Sequence, residues 1–342
     1  MSLPKVLGVF SILLFAGIGI AALSKSGKKP HEVPAVAIVQ EKPIEIPIKT
    51  ESLPVIEKSK PTVQNEIVVK EEKKAELKKV SANLPLPEAN RIEQFFNKGP
   101  NKFPFVETIT YKSHVPWKKE KKAWLADYAK HYATSLHFIA RSLNGKADYQ
   151  KLEIAEGDRF NILKKDKNIE FYLVIDTSRC KMWFYSFDKD SQERTLIKTY
   201  HVGLGRPDET KESGLLTPLG KYSLGNKVAI YRPKTMGIHN NQKTEMIKTF
   251  GTRWIPFDQE MGGNTAQAKG FGLHGVPWDL NDKGQLAEVT TSLGKYESDG
   301  CVRLSTADIE ELYAIIITKP SYIELVRDFH EAKLPGTEKS LE

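Results

Sequence analysis

GFGLHG at residues 270–275 and SDGCVRL at residues 298–304 are the two ends of the stretch that decides how this chain is read. The first carries His274 flanked by glycine, and the second carries Cys301 between Gly300 and Val302. A cysteine that attacks a carbonyl needs a base for its proton and a place for the charge that forms on the carbonyl oxygen. Imidazole can take the thiol proton and return it to a leaving amine. An imidazolium beside the sulfur would also lower the thiol pKa. Ser298-Asp299-Gly300 permits a sharp turn whose amides could converge, because glycine tolerates backbone conformations closed to other residues. Arg303 lies two positions past Cys301, on the same side of an extended strand, and could grip a carboxylate with its fork of donors. Ordinary roles stay open at this point: a core cysteine, a structural histidine, a surface ion pair for Arg303.

The residues around this stretch read as a mainly β domain. FYLVIDTSRCKMWFYSF at 171–187 has the pattern of a hairpin, with a strand over 171–175, a turn at 176–179 and a second strand over 180–187. Alternation puts Cys180, Met182 and Phe184 on one face, so Cys180 reads as a small buried hydrophobe. A further strand covers 196–203, and Thr217-Pro218-Leu219-Gly220 is a rigid turn ahead of another. The glycines at 203, 205 and 220 are too sparse for a phosphate loop, so no nucleotide is expected. His239, in Met236–His239, is a candidate substrate contact. Ser305 and Asp308 have capping-box spacing for a helix whose buried stripe is Ile309, Leu312, Tyr313 and Ile316. Pro320 ends it, and 322–326 reads as a last strand before a frayed tail at 331–342.

Upstream, Trp124 to Leu143 shows helical periodicity broken at Thr134-Ser135, hence two helices. With strands at 107–111 and 160–163 the order is strand, helix, helix, strand. His131 and His137 are six positions apart, which is not a helical metal pair. Residues 26–91 are rich in Pro, Lys and Glu and read as a solvated spacer. Val6 to Leu23 is an uncharged run of 18 residues, read as a membrane anchor or signal segment. Of 342 residues, 51 are basic and 43 acidic, a net charge of +8 that suits a polyanion without selecting one. That charge is spread along the chain, which argues against nucleic acid. Two cysteines exclude both a disulfide-stapled fold and a CxxC zinc site. No cofactor or metal is expected.

Four segments together, YLVIDTSRCKMWFY, GLG with TPLGKY, GFGLHG and SDGCVRL, resemble the YkuD family of L,D-transpeptidases over about 170–328. The resemblance implies a twisted β-sandwich with a helix directly after the cysteine. It implies that Cys301 attacks the L–D bond of a peptidoglycan stem tetrapeptide, that His274 is the base, and that the acyl group passes to an amine to form a 3-3 crosslink. Ser298, Asp299 and Gly300 take oxyanion or orienting positions; Arg303, Gly275 and His239 are candidate substrate contacts. Carbapenem sensitivity is implied as well. Two departures are visible: Asp299 stands where the family usually has a second histidine, and the interval between His274 and Cys301 is long. Residues 107–165 resemble a LysM module, which implies contact with glycan strands. The resulting expectation is an anchored enzyme at the inner membrane facing the periplasm or wall space, or a secreted form if the N-terminus is cleaved. An L,D-carboxypeptidase using water and a non-enzymatic wall-binding protein are the alternatives.

Overall fold

The strand pair expected at 171–187 is the centre of the structure. In the computed structural model, which describes residues 85–145, 153–225 and 228–339, β3 (Ile169–Asp176) and β4 (Lys181–Asp188) pair antiparallel over their full length. Both strands are buried on both faces. Leu173, Met182 and Phe184 enter one apolar cluster, while Val174, Trp183 and Tyr185 enter another. This explains why the run looks almost continuously apolar rather than alternating. Cys180 sits in the intervening turn with φ +50°, not in the strand, and is buried beside Met182 and Phe184.

The remaining strands extend from this pair. β5 (Glu193–His201) pairs with β4, and β17 (Ser321–Val326) runs parallel to β3. β7 (Gly220–Leu224) joins β17 to β11 (Arg253–Gly262), which joins β12 (Gly272–Gly275), which joins β16 (Val302–Leu304). The mainly β fold expected from the sequence is present, its strands joined by hydrogen bonds into one curled sheet. The ten-residue β11 carries the connection: its first half pairs with β12 and its second half with β7, with register shifts at Phe257–Glu260 and Glu260–Gly262. Such irregularities bend a strand and raise its twist.

Helix α5 (Thr306–Ile316) follows β16 and packs its buried residues, Ile309, Leu312, Tyr313 and Ile316 among them, into the main core. Ser305 caps it, its hydroxyl accepting the Asp308 N–H at 3.1 Å.

Upstream lies α1 (Glu93–Phe96), then β1 (Val106–Thr110), α2 (Leu125–His131), α3 (Leu136–Asn144) and β2 (Arg159–Leu163), with β1 and β2 antiparallel. Ser135 accepts the Phe138 N–H, and Gly145 closes α3 in the left-handed conformation at φ +72°, as the sequence suggests. The junction between the LysM-like stretch at 107–165 and the segment that begins near 170 is not a boundary in packing. Phe95, Phe103, Phe105, Phe138 and Leu163 belong to the same core cluster as Phe171, Phe184 and Tyr313. Only the outer side, with Tyr128, Ile139 and Phe160, forms a cluster of its own.

Both ends of the described chain correct the sequence reading. Residues 86–91 are not free spacer: Trp183 Nε1 donates to the Pro87 carbonyl at 2.7 Å, and Asn90 bridges to Lys198. The tail is not frayed through 339. β18 (Thr337–Glu338) adds to β5, and Arg194 donates to the Pro335 carbonyl at 3.1 Å. Residues 1–84, including the apolar run at 6–23, lie outside the described residues. Among the described residues, no helix is long and apolar enough to cross a membrane.

Candidate active site

β12 and β16 run side by side, and their register brings the two ends of the opening stretch together. Leu273 pairs with Val302 and His274 with Arg303. Leu273, Val302 and Leu304 point into the core, fully buried. Alternation therefore sends His274, Arg303 and Cys301 to the opposite face. Cys301, one position before β16, and His274 are therefore diagonal neighbours across the parallel pair.

The turn that delivers Cys301 is held by short bonds. Ser298 Oγ donates to the Cys301 carbonyl at 2.7 Å and accepts the Gly300 N–H at 3.1 Å. Buried Thr217 donates its hydroxyl to the Gly300 carbonyl at 3.0 Å and accepts the Gly205 N–H at 2.7 Å. Gly300 adopts φ +116°, and a Cβ there would stand 2.7 Å from the Phe271 ring and 2.8 Å from the Leu216 carbonyl oxygen. No other residue fits that position. Of the oxyanion or orienting positions expected of Ser298 and Gly300, these bonds describe an orienting one. The serine hydroxyl and the Gly300 amide are spent on the turn itself rather than aimed at a substrate oxygen.

Asp299 does not orient His274. Its exposed carboxylate takes a hydrogen bond from Arg206 at 2.5 Å. The imidazole of His274 instead meets backbone: the carbonyl of Gly275 lies 2.7 Å from Nδ1, and the backbone of Phe250 is a further partner. A carbonyl can only accept, so Nδ1 carries the proton and Nε2 keeps its lone pair. Gly275, expected to touch substrate, is buried, and a Cβ on it would lie 3.2 Å from the Thr252 amide nitrogen. Its part is to fix the imidazole. His239 is on the hairpin of β9 (Met236–His239) and β10 (Gln242–Glu245), half-buried. Its ring meets Phe250 edge to face at 5.0 Å, and Phe250 meets His274 at 5.3 Å. Trp254, opposite His274 in register, lies 6.0 Å from it. His239 thus stands behind an aromatic wall of the site.

Electrostatics hold both reactive groups neutral. His274 is only 3% exposed, and burial pushes its pKa down to about 4; Arg303 and His239 push the same way while the backbone carbonyls of Gly275 and Phe250 oppose. Burial pushes the Cys301 thiol up to about 11, against the Gly272 amide and the Arg303 charge, with Asp299 adding to the rise. The thiol donates to the Gly270 carbonyl at 3.6 Å. A resting thiolate–imidazolium pair, which the sequence reading anticipated, is disfavoured on both sides. Arg303 is half-buried, and its Nε has no hydrogen-bond partner.

The expected long insertion is ordered. β13 (Trp278–Leu280) and β14 (Leu286–Glu288) form a hairpin, and Glu288 accepts the Thr306 N–H at 2.8 Å at the start of α5. Sequence reasoning missed Thr217, Arg206 and Phe250 as parts of the site, and it quoted Gly270 only as the start of the GFGLHG motif. Thr217 was visible only as a turn residue, and nothing local marked Arg206 or Phe250. Among the described residues, no cluster of His, Cys, Asp and Glu could hold a metal ion.

Comparison with known proteins finds partial likenesses. Bd1075 of Bdellovibrio bacteriovorus is 17% identical with a TM-score of 0.32, covering 46% of this chain and 48% of that one. The helical cell shape determining protein Pgp2 of Campylobacter jejuni is 16% identical with a TM-score of 0.30, covering 50% and 54%. An L,D-transpeptidase of Xylanimonas cellulosilytica is 13% identical with a TM-score of 0.25, covering 46% and 60%. The chain spans about half the length of the first two. No curated protein matches the chain. Residues 170–323, which hold Cys301, His274 and Arg303, match the family model YkuD, the L,D-transpeptidase catalytic domain.

Proposed function

We propose that this chain is a cysteine L,D-transpeptidase of peptidoglycan. The observation that carries the reading is the pairing of β12 with β16 inside the matched segment, which puts Cys301 and His274 on one face as diagonal neighbours. The thiol attacks the carbonyl of the L–D bond in a stem tetrapeptide while Nε2 of His274 takes its proton. The tetrahedral intermediate collapses to a thioester, and His274 returns the proton to the departing D-alanine amine. A side-chain amine of a second stem then attacks the thioester, giving a 3-3 crosslink and restoring the thiol. Because both groups rest neutral, the proton moves together with attack rather than before it. Arg303, opposite His274 in register, would offer its guanidinium to a substrate carboxylate near the scissile bond.

Two further assignments belong to the same reading. Residues 6–23 would anchor the enzyme at the inner membrane, with its catalytic domain in the periplasm or wall space. The βααβ unit at 106–163 would hold glycan in a groove of about 600 Å³, where Trp124 is 63% exposed beside Leu125, Leu136 and Ile154. The test is incubation of the full-length chain with a carbapenem, followed by intact mass measurement. One adduct is expected on the native chain and none on Cys301→Ala. Digestion of tetrapeptide muropeptides then separates the alternatives. Dimers mean transfer to an amine, tripeptides alone mean an L,D-carboxypeptidase, and no product together with no adduct overturns the enzymatic reading.

A further inference from the structure

A cleft of about 340 Å³ opens beside the nucleophile, lined by Trp254, Pro256, Asp258, Lys269, Gly225 and Gly270. The Cys301 thiol donates to the Gly270 carbonyl at 3.6 Å, so the cleft begins at the reacting sulfur. Strand register sets its course. Trp254 stands opposite His274, and the Phe257 N–H donates to the Phe271 carbonyl at 3.0 Å, which brings Asp258 beside Gly270. The Trp254 ring lies over Gly272, where a Cβ would meet it at 2.9 Å. At Gly270 a Cβ would meet nothing within 4 Å. An indole thus bounds the cleft on the His274 side, and the way to Asp258 is open.

The two ends of the cleft differ in chemistry. Trp254 and Pro256 give an apolar wall next to the sulfur. Asp258 and Lys269, both exposed, put one negative and one positive charge at the far end. Among the described residues, neither side chain is engaged in a hydrogen bond or an ion pair. Glu260, the next carboxylate along β11, is taken up by the Ala268 N–H at 2.5 Å. One strand spacing, about 4.8 Å, separates Gly270 from Asp258, so that carboxylate lies on the order of 8 Å from the sulfur. Exposure accounts for each charge singly. It does not account for two of opposite sign closing a cleft that starts at the nucleophile.

We infer that this cleft holds the side chain of the donor residue that acylates Cys301, and that it selects a side chain ending in an ammonium beside a carboxylate. The inference rests on the peptidoglycan reading above and adds a donor preference to it. A 3-3 crosslink joins two third residues, so the acylating residue itself carries a side-chain amine. The departing amine must stand at His274, which leaves the acyl side facing Pro256 and Asp258. An amine at the end of a four-carbon side chain lies about 6 Å from its α-carbon, which matches the reach to Asp258. The methylenes lie along Pro256, the ammonium meets Asp258, and a carboxylate on the same carbon meets Lys269. A diamino dicarboxylic residue uses both charges of the cleft, and lysine uses one.

The test uses the full-length chain and two tetrapeptide donors that differ only at the third residue, which is meso-diaminopimelate in one and lysine in the other. D-Alanine release and the mass of the acyl-enzyme give the acylation efficiency of each. The native chain is expected to favour the diaminopimelate donor about three- to fivefold, the size of a partly exposed ion pair. Lys269→Gln should bring that ratio to about one, and Lys269→Arg should keep it. Asp258→Asn should slow both donors alike, since both carry the ammonium. A native ratio of about one, or a preference that survives Lys269→Gln, overturns the inference. The carbapenem adduct on the native chain is read separately. An adduct with equal release from both donors, or with release from neither, condemns the cleft alone. No adduct and no release condemns the enzymatic reading on which the inference rests.

Discussion

Lowering the pH from 8 to 4 is expected to leave acylation nearly flat until the acid end of that range, while the folded state weakens much earlier. The cause of both is the buried imidazole of His274, whose pKa lies at about 4. At pH 5 such a group is about 10% protonated, whereas an imidazole of ordinary pKa is about 97% protonated. The base therefore stays available, and the rate of carbapenem acylation at pH 5 should remain about nine-tenths of its value at pH 7. Stability follows the opposite course. The unfolded chain takes up a proton at this histidine near pH 6.5, and the folded chain refuses it until about pH 4. The unfolded state thus binds more protons between those values, so stability is full above pH 6.5 and is lost as pH falls toward 4. The difference of about 2.5 pKa units corresponds to roughly 3 kcal/mol at the acid end. His137, which burial and Arg253 also hold down at about 4, pushes in the same direction. The assays are stopped-flow acylation and urea unfolding, each run across the pH series. An acylation limb centred near pH 6.5 would refute the buried, neutral base. So would stability unchanged between pH 7 and 4.5.

Gly300→Ala should cut acylation by two orders of magnitude or more, because the added carbon must displace the Phe271 ring or the Leu216 carbonyl and so shift Cys301; turnover of a chromogenic β-lactam reads it. Asp299→Asn should change stability by less than about 1 kcal/mol, since its pair with Arg206 is exposed, and should lower the thiol pKa seen in pH-dependent alkylation of Cys301. Ser305→Ala should cost about 1 kcal/mol through loss of the α5 cap, measured by chemical denaturation. Phe138→Ala should cost about 3–5 kcal/mol and lower the midpoint of the whole chain in one transition, because that ring lies in the core shared with the sheet.

Local chemistry made much of this legible in the sequence. The hairpin at 171–187, the capped helix after Leu304 and the helix break at Ser135 each depend on neighbours within a few residues. So does the identity of the reactive stretch, since glycine and cysteine declare their roles in short motifs. What stayed hidden depends on partners far along the chain. Thr217 reaches Gly300 across 83 positions, and Arg206 reaches Asp299 across 93. The neutral state of Cys301 and His274 was also out of reach, because it follows from burial rather than residue type. The frayed tail was misread for the same reason: β5 offers Thr337–Glu338 an edge that the tail's own composition does not announce.

The phenylalanines that bind the βααβ unit to the sheet also constrain how this chain can change over evolutionary time. A module attached by a linker can be lost, duplicated or exchanged without harm to its neighbour. Here Phe95, Phe103, Phe105 and Phe138 face Phe171 and Phe184 in one packed interior. Excising residues 93–163 would strip the sheet of one wall and expose those rings to water. A chain without the unit would need another cover for that face of its sheet.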